Sequence, residues 1–247
     1  LLLMLLATFL ATRYAKLLGA LQQKERLRIW LIGQLFSARE KERRRISREL
    51  HDETSQSMVS ILAYLRILHG KLVTPEQREL LQEARELTSE TLQGLKRLAA
   101  DLHPPLLEDL GLLVAIEKYI DALQRTHEEL TLEWKTQGDF AGLDRTLALV
   151  AYRSVQEGLT NIVRHAKASH AQVRLFATDE ELRIEIADDG VGFEKEAAEK
   201  ARLDRHLGLV SMAERAELLD GNFTIDSAPG AGTRLFLCLP RKKERKT

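Results

Sequence analysis

Residues 17–102 contain almost no turn-forming residues, and their apolar side chains recur at steps of three and four. This spacing is typical of long amphipathic helices, because it places the apolar side chains on one helix face. The segment TPEQ at residues 74–77 combines an N-cap threonine, a proline at the first helical position and a capping-box glutamine. We therefore predict one helix that ends near Val73 and a second that stops at the HPP segment of residues 103–105.

Each predicted helix carries a single apolar stripe. The stripes are Ile46, Leu50, Thr54, Met58, Ile61, Leu65, Leu68 and Leu72 on the first helix, and Leu80, Ala84, Leu87, Thr91, Leu95, Leu98 and Leu102 on the second. A helical hairpin with one stripe on each arm cannot close a core by itself. We therefore expect two copies of the chain to pair into a four-helix bundle, which would make the protein a homodimer.

After residue 105 the pattern changes to a mixture of helices and strands. We predict helices near residues 112–124, 143–165 and 208–219, and strands at 130–134, 171–177, 182–187, 222–227 and 233–239. The last four strands form two hairpins, whose turns at residues 178–181 and 228–232 are polar or rich in glycine. The sequence therefore predicts a separate α/β layer domain behind the helical hairpin.

Composition and the first residues limit the setting of the chain. The 37 basic and 37 acidic residues balance, so we expect no direct contact with nucleic acid, and the single cysteine excludes a disulfide framework and a cysteine zinc site. Residues 1–11 are apolar and precede Arg13 and Lys16. A membrane span needs roughly 20 apolar residues, and basic residues follow a span on the cytoplasmic side. We interpret this segment as the trimmed end of a transmembrane helix; the alternative is a buried or coiled-coil helix end.

A group of chemically active side chains lies in the segment ELHDETSQ at residues 49–56. With about 100° between successive residues, His51 is predicted beside the apolar stripe, with Asp52 and Gln56 one turn apart on a solvent-facing edge. A neutral imidazole can attack phosphorus, and an adjacent carboxylate can orient it and stabilise the developing charge. A His-Asp pair on a charged helix is, by itself, more often an ordinary surface feature.

A second group lies in the predicted helix 143–165. Glu157, Asn161 and His165 follow one another at intervals of four, so they are predicted to line one helix edge with a carboxylate, an amide oxygen and an imidazole. Mg²⁺ prefers oxygen ligands and binds largely to nucleotide phosphates, so Asn161 together with ATP oxygens would suffice to hold it. An ordinary polar helix face has the same spacing.

Further candidates follow the predicted strands. Asp188 comes after strand 182–187, where a buried carboxylate can accept the adenine amino hydrogen, and Gly190 and Gly192 allow a sharp turn close to a ligand. Gly208 precedes a helix whose free N–H groups could face a phosphate. Thr233 follows the glycine-rich turn before the last strand. No Walker A segment is present, so ATP would need another cradle.

Taken together and in this order, the segments resemble the sequence boxes of NarX-like histidine kinases of bacterial two-component systems. RRRISRELHDETSQS is similar to the dimerisation and phosphoacceptor box with its HDxxxQ core, and DLHPPLLEDLGLLVAI to the segment that follows it. YRSVQEGLTNIVRHAKAS is similar to the N box, IADDGVGF to the G1 box, LGLVSMAERAELLDG to the G2 region and GAGTRLFLCLP to the terminal box. The resemblance covers roughly residues 40–240.

The resemblance implies an α+β multi-domain protein, in which a dimeric four-helix bundle of helical hairpins precedes a Bergerat-type (GHKL) α/β sandwich that binds ATP. We expect a membrane-proximal signalling helix at residues 1–38, a dimerisation and phosphoacceptor domain at 39–103, an ATP-binding domain at 104–241 and a basic tail at 242–247. The chain would be the cytoplasmic portion of a protein of the cytoplasmic membrane, attached through its upstream segment.

The resemblance also implies a role for each matched residue. His51 would be the phosphoacceptor, Asp52 the neighbouring base or orienting acid, and Gln56 the residue that positions water for dephosphorylating the partner. Glu157, as the N-box acid, would be the fourth catalytic residue. The remaining residues would hold ATP and Mg²⁺: Asn161 as the Mg²⁺ ligand, His165 on the same edge, Asp188 and Thr233 beside adenine, Gly190 and Gly192 in the G1 box, and Gly208 at the lid.

The implied activity is autophosphorylation of His51 with ATP and transfer of the phosphoryl group to an aspartate of a response regulator of the NarL-like class, with dephosphorylation of that regulator as a second activity. One alternative is a module that binds ATP without phosphorylating itself, against which the intact His51, Asp52, Glu157 and Asn161 argue. Another is a serine kinase of the anti-sigma type, which shares the ATP-binding fold but lacks the long helical hairpin.

Three positions depart from the pattern of these kinases. Ser55 stands where many members carry glycine, and Ser211 replaces the usual glycine before Met212. The lid has the sequence RHL at residues 205–207 without a preceding glycine. These differences bear on the mobility of the lid and on the balance between kinase and phosphatase activity, and we expect the chemistry itself to be retained.

Overall fold

The computed structural model describes residues 2–69, 74–102, 104–194 and 207–241. The chain divides into two compact units, Ser37–Asp109 and Leu1–Phe36 together with Leu110–Thr247. Among the described residues, no helix combines the length and the hydropathy that a membrane span requires.

The first part of the chain is helical. Its elements are α1 (Leu2–Glu49), a first π-helix (Leu50–Thr54), α2 (Ser55–His69), α3 (Pro75–Leu102) and α4 (Pro105–Asp109). The predicted capping box is present at the start of α3, where the Gln77 N–H donates to Thr74 Oγ1 at 3.3 Å and the Thr74 N–H donates to Gln77 Oε1 at 3.4 Å. α3 ends at Leu102, as the prolines predicted, whereas the predicted first-helix end at Val73 lies outside the described residues. The π-helix and α4 were not predicted.

The apolar stripe predicted for the second helix is only partly the face that the chain buries. Within the helical unit the buried apolar residues of α3 are Leu81, Leu92 and Ala99. Three members of the predicted stripe are instead 58–67% exposed: Leu80, Leu87 and Leu98. α3 therefore carries apolar residues on two faces, and a single stripe with steps of three and four could represent only one of them.

The second part of the chain is an α/β layer structure. Its elements are α5 (Leu112–Thr126), β1 (Thr131–Gly138), α6 (Arg145–Asn161), a second π-helix (Ile162–Ala166), β2 (His170–Ala177), β3 (Glu181–Asp188), α7 (Leu207–Glu217), β4 (Asn222–Ser227) and β5 (Thr233–Pro240). The five strands form one sheet in the order β1-β2-β3-β5-β4, in which β1 and β2 are parallel and the other pairs antiparallel. The predicted fold class, a helical hairpin followed by a mixed α/β sandwich, is confirmed.

The core of this layer lies on one face of the sheet. Buried side chains alternate along the three central strands: Val173 and Leu175 in β2, Ile184 and Ile186 in β3, and Leu235, Leu237 and Leu239 in β5. Asp144 caps α6 by accepting the N–H groups of Thr146 and Leu147 at 2.8 and 3.2 Å. α6 packs closely on β3 because residue 158 is glycine, where a Cβ would lie only 2.6 Å from Ile186 Cδ1. This packing fixes the position of α6 over the sheet.

Candidate functional site

The end of β3 brings two of the predicted site residues together. Asp188 is the last residue of β3, and it pairs directly with Thr233, the first residue of β5. The carboxylate of Asp188 accepts the N–H of Gly190 at 2.9 Å and also the backbone N–H of Thr233. Burial nevertheless raises the pKa of Asp188 above its usual range, against the effect of these two donors. A half-buried carboxylate of this kind would bind an additional hydrogen-bond donor from a ligand.

The two predicted G1 glycines are required by close approach of the backbone. A Cβ on Gly190 would collide with the backbone of Ala166, which also accepts the N–H of Val191 at 2.8 Å. Gly192 has φ +59°, and a Cβ there would collide with the carbonyl oxygen of Ala228. The loop after β3 is therefore pressed between the second π-helix and the β4–β5 turn, with space for backbone only.

Ser227 joins this loop to the β4–β5 turn and was not predicted. Its hydroxyl accepts the N–H of Phe193 at 3.0 Å and donates to the carbonyl oxygen of Gly232 at 3.0 Å. It also lies 3.0 Å from Thr233 Oγ1. The side chain is buried, and its hydroxyl connects the backbone at Phe193 and at Gly232 with the side chain of Thr233. A serine before a glycine-rich turn carries no sequence signal that separates this role from an ordinary turn residue.

Asp189, for which the sequence predicted no role, connects the end of β3 to the start of β2 through hydrogen bonds. Its carboxylate accepts the N–H groups of Ser169 and His170 at 2.9 and 2.8 Å and the Ser169 hydroxyl at 2.6 Å. These bonds, chiefly the one from the Ser169 hydroxyl, lower the pKa of Asp189. The carboxylate is therefore ionised at neutral pH, and its contribution to stability is lost as the pH falls through the folded-state pKa.

Replacing Asp189 by alanine is expected to weaken nucleotide binding about 10-fold, because two N–H groups and a hydroxyl lose their common acceptor beside the loop at Gly190. The midpoint of thermal unfolding should fall by a few degrees. Asp189→Asn is the matched control, since its amide oxygen can still accept both N–H groups. Calorimetric titration with ATP measures the affinity. Equal affinities of the alanine variant and the wild type would show that the hydrogen bonds of Asp189 do not affect nucleotide binding.

Glu157 and Gly208 meet where α6 faces the start of α7. A Cβ on Gly208 would collide with the Glu157 carboxylate, so glycine permits this approach. Asn161 is the last residue of α6 and is half-buried. The α-helical spacing stops at Asn161, and His165 lies in the second π-helix with an exposed side chain. Glu157 and Asn161 are thus on α6, Gly208 is at the start of α7, and His165 is in the π-helix that follows α6.

The described residues contain no group of three or more histidine, cysteine, aspartate or glutamate side chains able to hold a metal ion. The glycines at 190, 192 and 208 serve the packing of the protein itself, since a Cβ at these positions would collide with Ala166, Ala228 and the Glu157 side chain, respectively.

The histidine group lies in the helical unit. His51 and Asp52 are part of the first π-helix, so the regular 100° spacing assumed for them does not hold there. Asp52 and Gln56 are exposed as predicted, whereas the side chain of His51 lies outside the described residues. Ser55, which lies between Asp52 and Gln56 in the sequence, is only 7% exposed. The sequence carried no signal for this change of helical spacing.

Two family matches cover both units of the chain. Residues 42–107 match the family described as histidine kinase, and residues 147–243 match the family described as histidine kinase-, DNA gyrase B-, and HSP90-like ATPase. The second match assigns an ATP-binding domain to the α/β layer structure. The first match lies within the helical elements α1–α4, and the second runs from α6 through β5.

Related proteins carry the same combination. The signal transduction histidine-protein kinase/phosphatase DegS of Brevibacillus brevis is 31% identical over 84% of this chain and 53% of its own length. The oxygen sensor histidine kinase NreB of Staphylococcus carnosus is 31% identical over 89% of this chain and 62% of its own length. An uncharacterized sensor-like histidine kinase of Chloroflexus aurantiacus is 35% identical over 83% of this chain and 35% of its own length. The chain thus spans between about a third and two thirds of these relatives, and with its histidine kinase and ATPase matches in this order it belongs to the NarX-like histidine kinases of bacterial two-component systems.

Proposed function

We propose that the chain uses ATP to phosphorylate His51 and passes the phosphoryl group to an aspartate of a response regulator, which it also dephosphorylates. The observation that carries this proposal is the paired arrangement of Asp188 and Thr233 beside the Gly190–Gly192 turn, within the residues that match the ATPase family. The HDxxxQ segment lies within the residues that match the histidine kinase family. A nucleotide site and a phosphoacceptor on one chain are the two parts that autophosphorylation needs.

In the nucleotide site, we assign adenine recognition to Asp188 and Thr233. The half-buried Asp188 carboxylate would accept the adenine amino hydrogen, which gives specificity because an unfilled buried acceptor is unfavourable. Gly190 and Gly192 let the loop after Asp188 pack against Ala166 and Ala228, and Gly208 lets the start of α7 approach the Glu157 carboxylate. We assign Asn161 to Mg²⁺, which when bound neutralises charge on the phosphate oxygens.

For the transfer step, we assign the attack to a neutral imidazole nitrogen of His51. A bond forms between this nitrogen and the γ-phosphorus while the bond to ADP breaks, and the carboxylate of Asp52 takes the proton from the other ring nitrogen. We assign Glu157, on α6 beside Gly208, as the N-box acid of the nucleotide site. In the second transfer the phosphoryl group moves to an aspartate carboxylate of the regulator, and hydrolysis releases inorganic phosphate.

We assign residues 39–103 to a dimerisation and phosphoacceptor domain, 104–241 to the ATP-binding domain, 1–38 to a membrane-proximal signalling helix and 242–247 to a basic tail. The uncovered apolar face of α3, with Leu80, Leu87 and Leu98, supports pairing with a second copy, because a four-helix bundle would cover it. We place the chain on the cytoplasmic side of a membrane, attached through its upstream segment, with a regulator of the NarL-like class as partner.

Incubation of the chain with γ-labelled ATP and Mg²⁺ tests the proposed activity. Acid-labile, base-stable label should accumulate on the protein and move to a cognate regulator when that regulator is added. EDTA should prevent the labelling, since Mg²⁺ would then be withdrawn from the nucleotide. The rival function, a module that binds ATP without phosphorylating itself, gives ATP binding by calorimetry and no label on the protein.

Replacing Gln56 by alanine is expected to slow dephosphorylation of the regulator by about 100-fold, while labelling of His51 stays within a few-fold of the wild type. An amide can hold a water in line with an aspartyl phosphate through its oxygen and its N–H, without titrating. Gln56 is exposed in the turn after Asp52, where a regulator docked on this edge could reach it.

Both rates should be measured on one preparation with one regulator. Ser60→Ala is a suitable control, because Ser60 lies one turn further along and its exposed hydroxyl bonds the Gln56 carbonyl oxygen, at 3.0 Å. Unchanged decay of regulator phosphate with the Gln56 variant would contradict the assignment of Gln56.

A further inference from the structure

The helix that carries His51 changes its hydrogen-bonding pattern at that residue. Between Leu50 and Thr54 the chain forms a π-helix, and the N–H of Ser55 donates to the carbonyl oxygen of Leu50, five residues earlier. α1 precedes this turn with 48 residues of α-helix, and α2 follows it with 15. A single π-turn within a long helix is uncommon and is often found at a functional site.

Ser55 holds the turn through its side chain as well as its backbone. Its hydroxyl donates to the same Leu50 carbonyl oxygen at 3.1 Å, and the residue is only 7% exposed. The nearby serines behave differently. Ser57 and Ser60 bond the carbonyl oxygens four residues earlier, Glu53 at 2.9 Å and Gln56 at 3.0 Å, and both are exposed. The bond of Ser55 is therefore specific to the π-turn.

The π-turn changes which residues of the helix face the same direction as Ser47. Ser47, 4% exposed, donates its hydroxyl to the Ala99 carbonyl oxygen of α3 at 2.8 Å. In an uninterrupted α-helix Ser55, eight positions later, would be rotated from Ser47 by about 80°. The additional residue in the π-turn removes roughly 100° of rotation and leaves the two serines within about 20° of each other. Both are buried, as this geometry requires.

The same rotation applies to the residues between them. The backbones of His51 and Asp52 lie inside the turn, so the direction that each position faces around the helix depends on whether the Leu50 carbonyl is bonded to residue 55 or to residue 54. A return to α-helical bonding would rotate the helix before the turn relative to the helix after it by about 100°. Transfer to an imidazole demands correct alignment of the attacking nitrogen, and a misplacement of about 1 Å can reduce a rate 100-fold.

We propose that Ser55 is a positioning residue for phosphoryl transfer, which holds the π-turn at Leu50–Thr54 and thereby sets the direction of His51 and Asp52. The proposal rests on the proposed autophosphorylation of His51. It concerns the transfer step alone, because nucleotide recognition is assigned to Asp188 and Thr233 in the α/β layer structure.

The test compares three variants of the full chain: Ser55→Ala, which removes the hydroxyl, Ser55→Thr, which keeps it, and Ser57→Ala, which removes an ordinary exposed hydroxyl from the same helix. The initial rate of labelling is measured over a range of ATP concentrations. Ser55→Ala is expected to lower the maximal rate about 10-fold with the KM for ATP unchanged. Ser55→Thr should stay within about threefold of the wild type, and Ser57→Ala within about twofold.

A general loss of helix stability would affect the alanine variants at both serines, and it would appear in thermal unfolding. Equal maximal rates of Ser55→Ala and the wild type would overturn the proposal, as would equal losses in Ser55→Ala and Ser57→Ala, or a Ser55→Thr variant as slow as Ser55→Ala. Absence of label on the wild type would instead contradict the proposed autophosphorylation, and the two failures are therefore distinguishable.

Discussion

Replacing His51 by glutamine is expected to abolish labelling of the chain by γ-labelled ATP while leaving its affinity for ATP unchanged. Glutamine has no nucleophilic ring nitrogen, so no phosphoramidate can form at this position. Nucleotide recognition is assigned to the other unit, around Asp188, and should not respond to the substitution. The label is measured after acid and base treatment, because phosphohistidine is labile in acid and stable in base.

A second histidine in the same helical region provides the control for this experiment. His69 is exposed at the end of α2, and His69→Gln should be labelled as rapidly as the wild type. Mixing the His51 variant with wild-type chains would also show whether the variant can still donate phosphate from its own ATP site. Acid-labile label on the purified His51 variant would place the acceptor on another residue.

Replacing Asp188 by asparagine is expected to weaken ATP binding about 100-fold without disrupting the sheet, since the substitution removes a charged acceptor from a half-buried position. Asparagine has nearly the same shape, so Gly190 and Thr233 can keep their N–H bonds to the remaining oxygen. Asp189→Asn is the matched control, because it makes the same chemical change one residue later and should bind ATP almost normally. If the Asp188 variant binds ATP with unchanged affinity, Asp188 serves only the structure of the turn.

The stability of the Asp188 variant provides an independent measurement. Burial raises the pKa of Asp188, so the folded state binds the proton more tightly than the unfolded chain does. This group therefore contributes stability in acid and loses it as the pH rises through the folded-state pKa. At neutral pH and without nucleotide, Asp188→Asn should unfold at the same temperature as the wild type or above it. Added ATP should raise the midpoint of the wild type much more than that of the variant.

The pattern of elements could be predicted because each element has a strong local signal. The alternation of Ile184 and Ile186 in β3 and the capping box at Thr74 determine a strand and a helix start without reference to the rest of the chain. The resemblance of the ordered motifs to the histidine kinase boxes implied the fold class and assigned both Asp188 and Thr233 to the adenine side of the site. The pairing of these two residues across β3 and β5 then needed only the expected sheet.

The two π-helices could not be predicted, because a π-turn adds one residue to a helical turn without changing the composition of the segment. The periodicity therefore assumed regular α-helical spacing around His51 and between Asn161 and His165, where the structure has π-turns. Ser227 and Asp189 were missed for a different reason. Their partners, Phe193 for the first and Ser169 for the second, lie far along the chain, so their roles depend on tertiary contacts. The uncovered face of α3 likewise depends on which face the single chain buries.

The shared hydroxyl of Ser227 also limits how the sequence around it can vary. The bonds to Phe193, Gly232 and Thr233 meet at one oxygen atom, so the loss of any one changes the others. The effects of substitutions at positions 227 and 233 on folding free energy should therefore not add. An alanine at position 227 would leave the Phe193 N–H without this acceptor, and a valine at position 233 would remove the hydroxyl that Ser227 contacts. Positions 227 and 233, in the loop beside the nucleotide, are therefore expected to covary among related sequences.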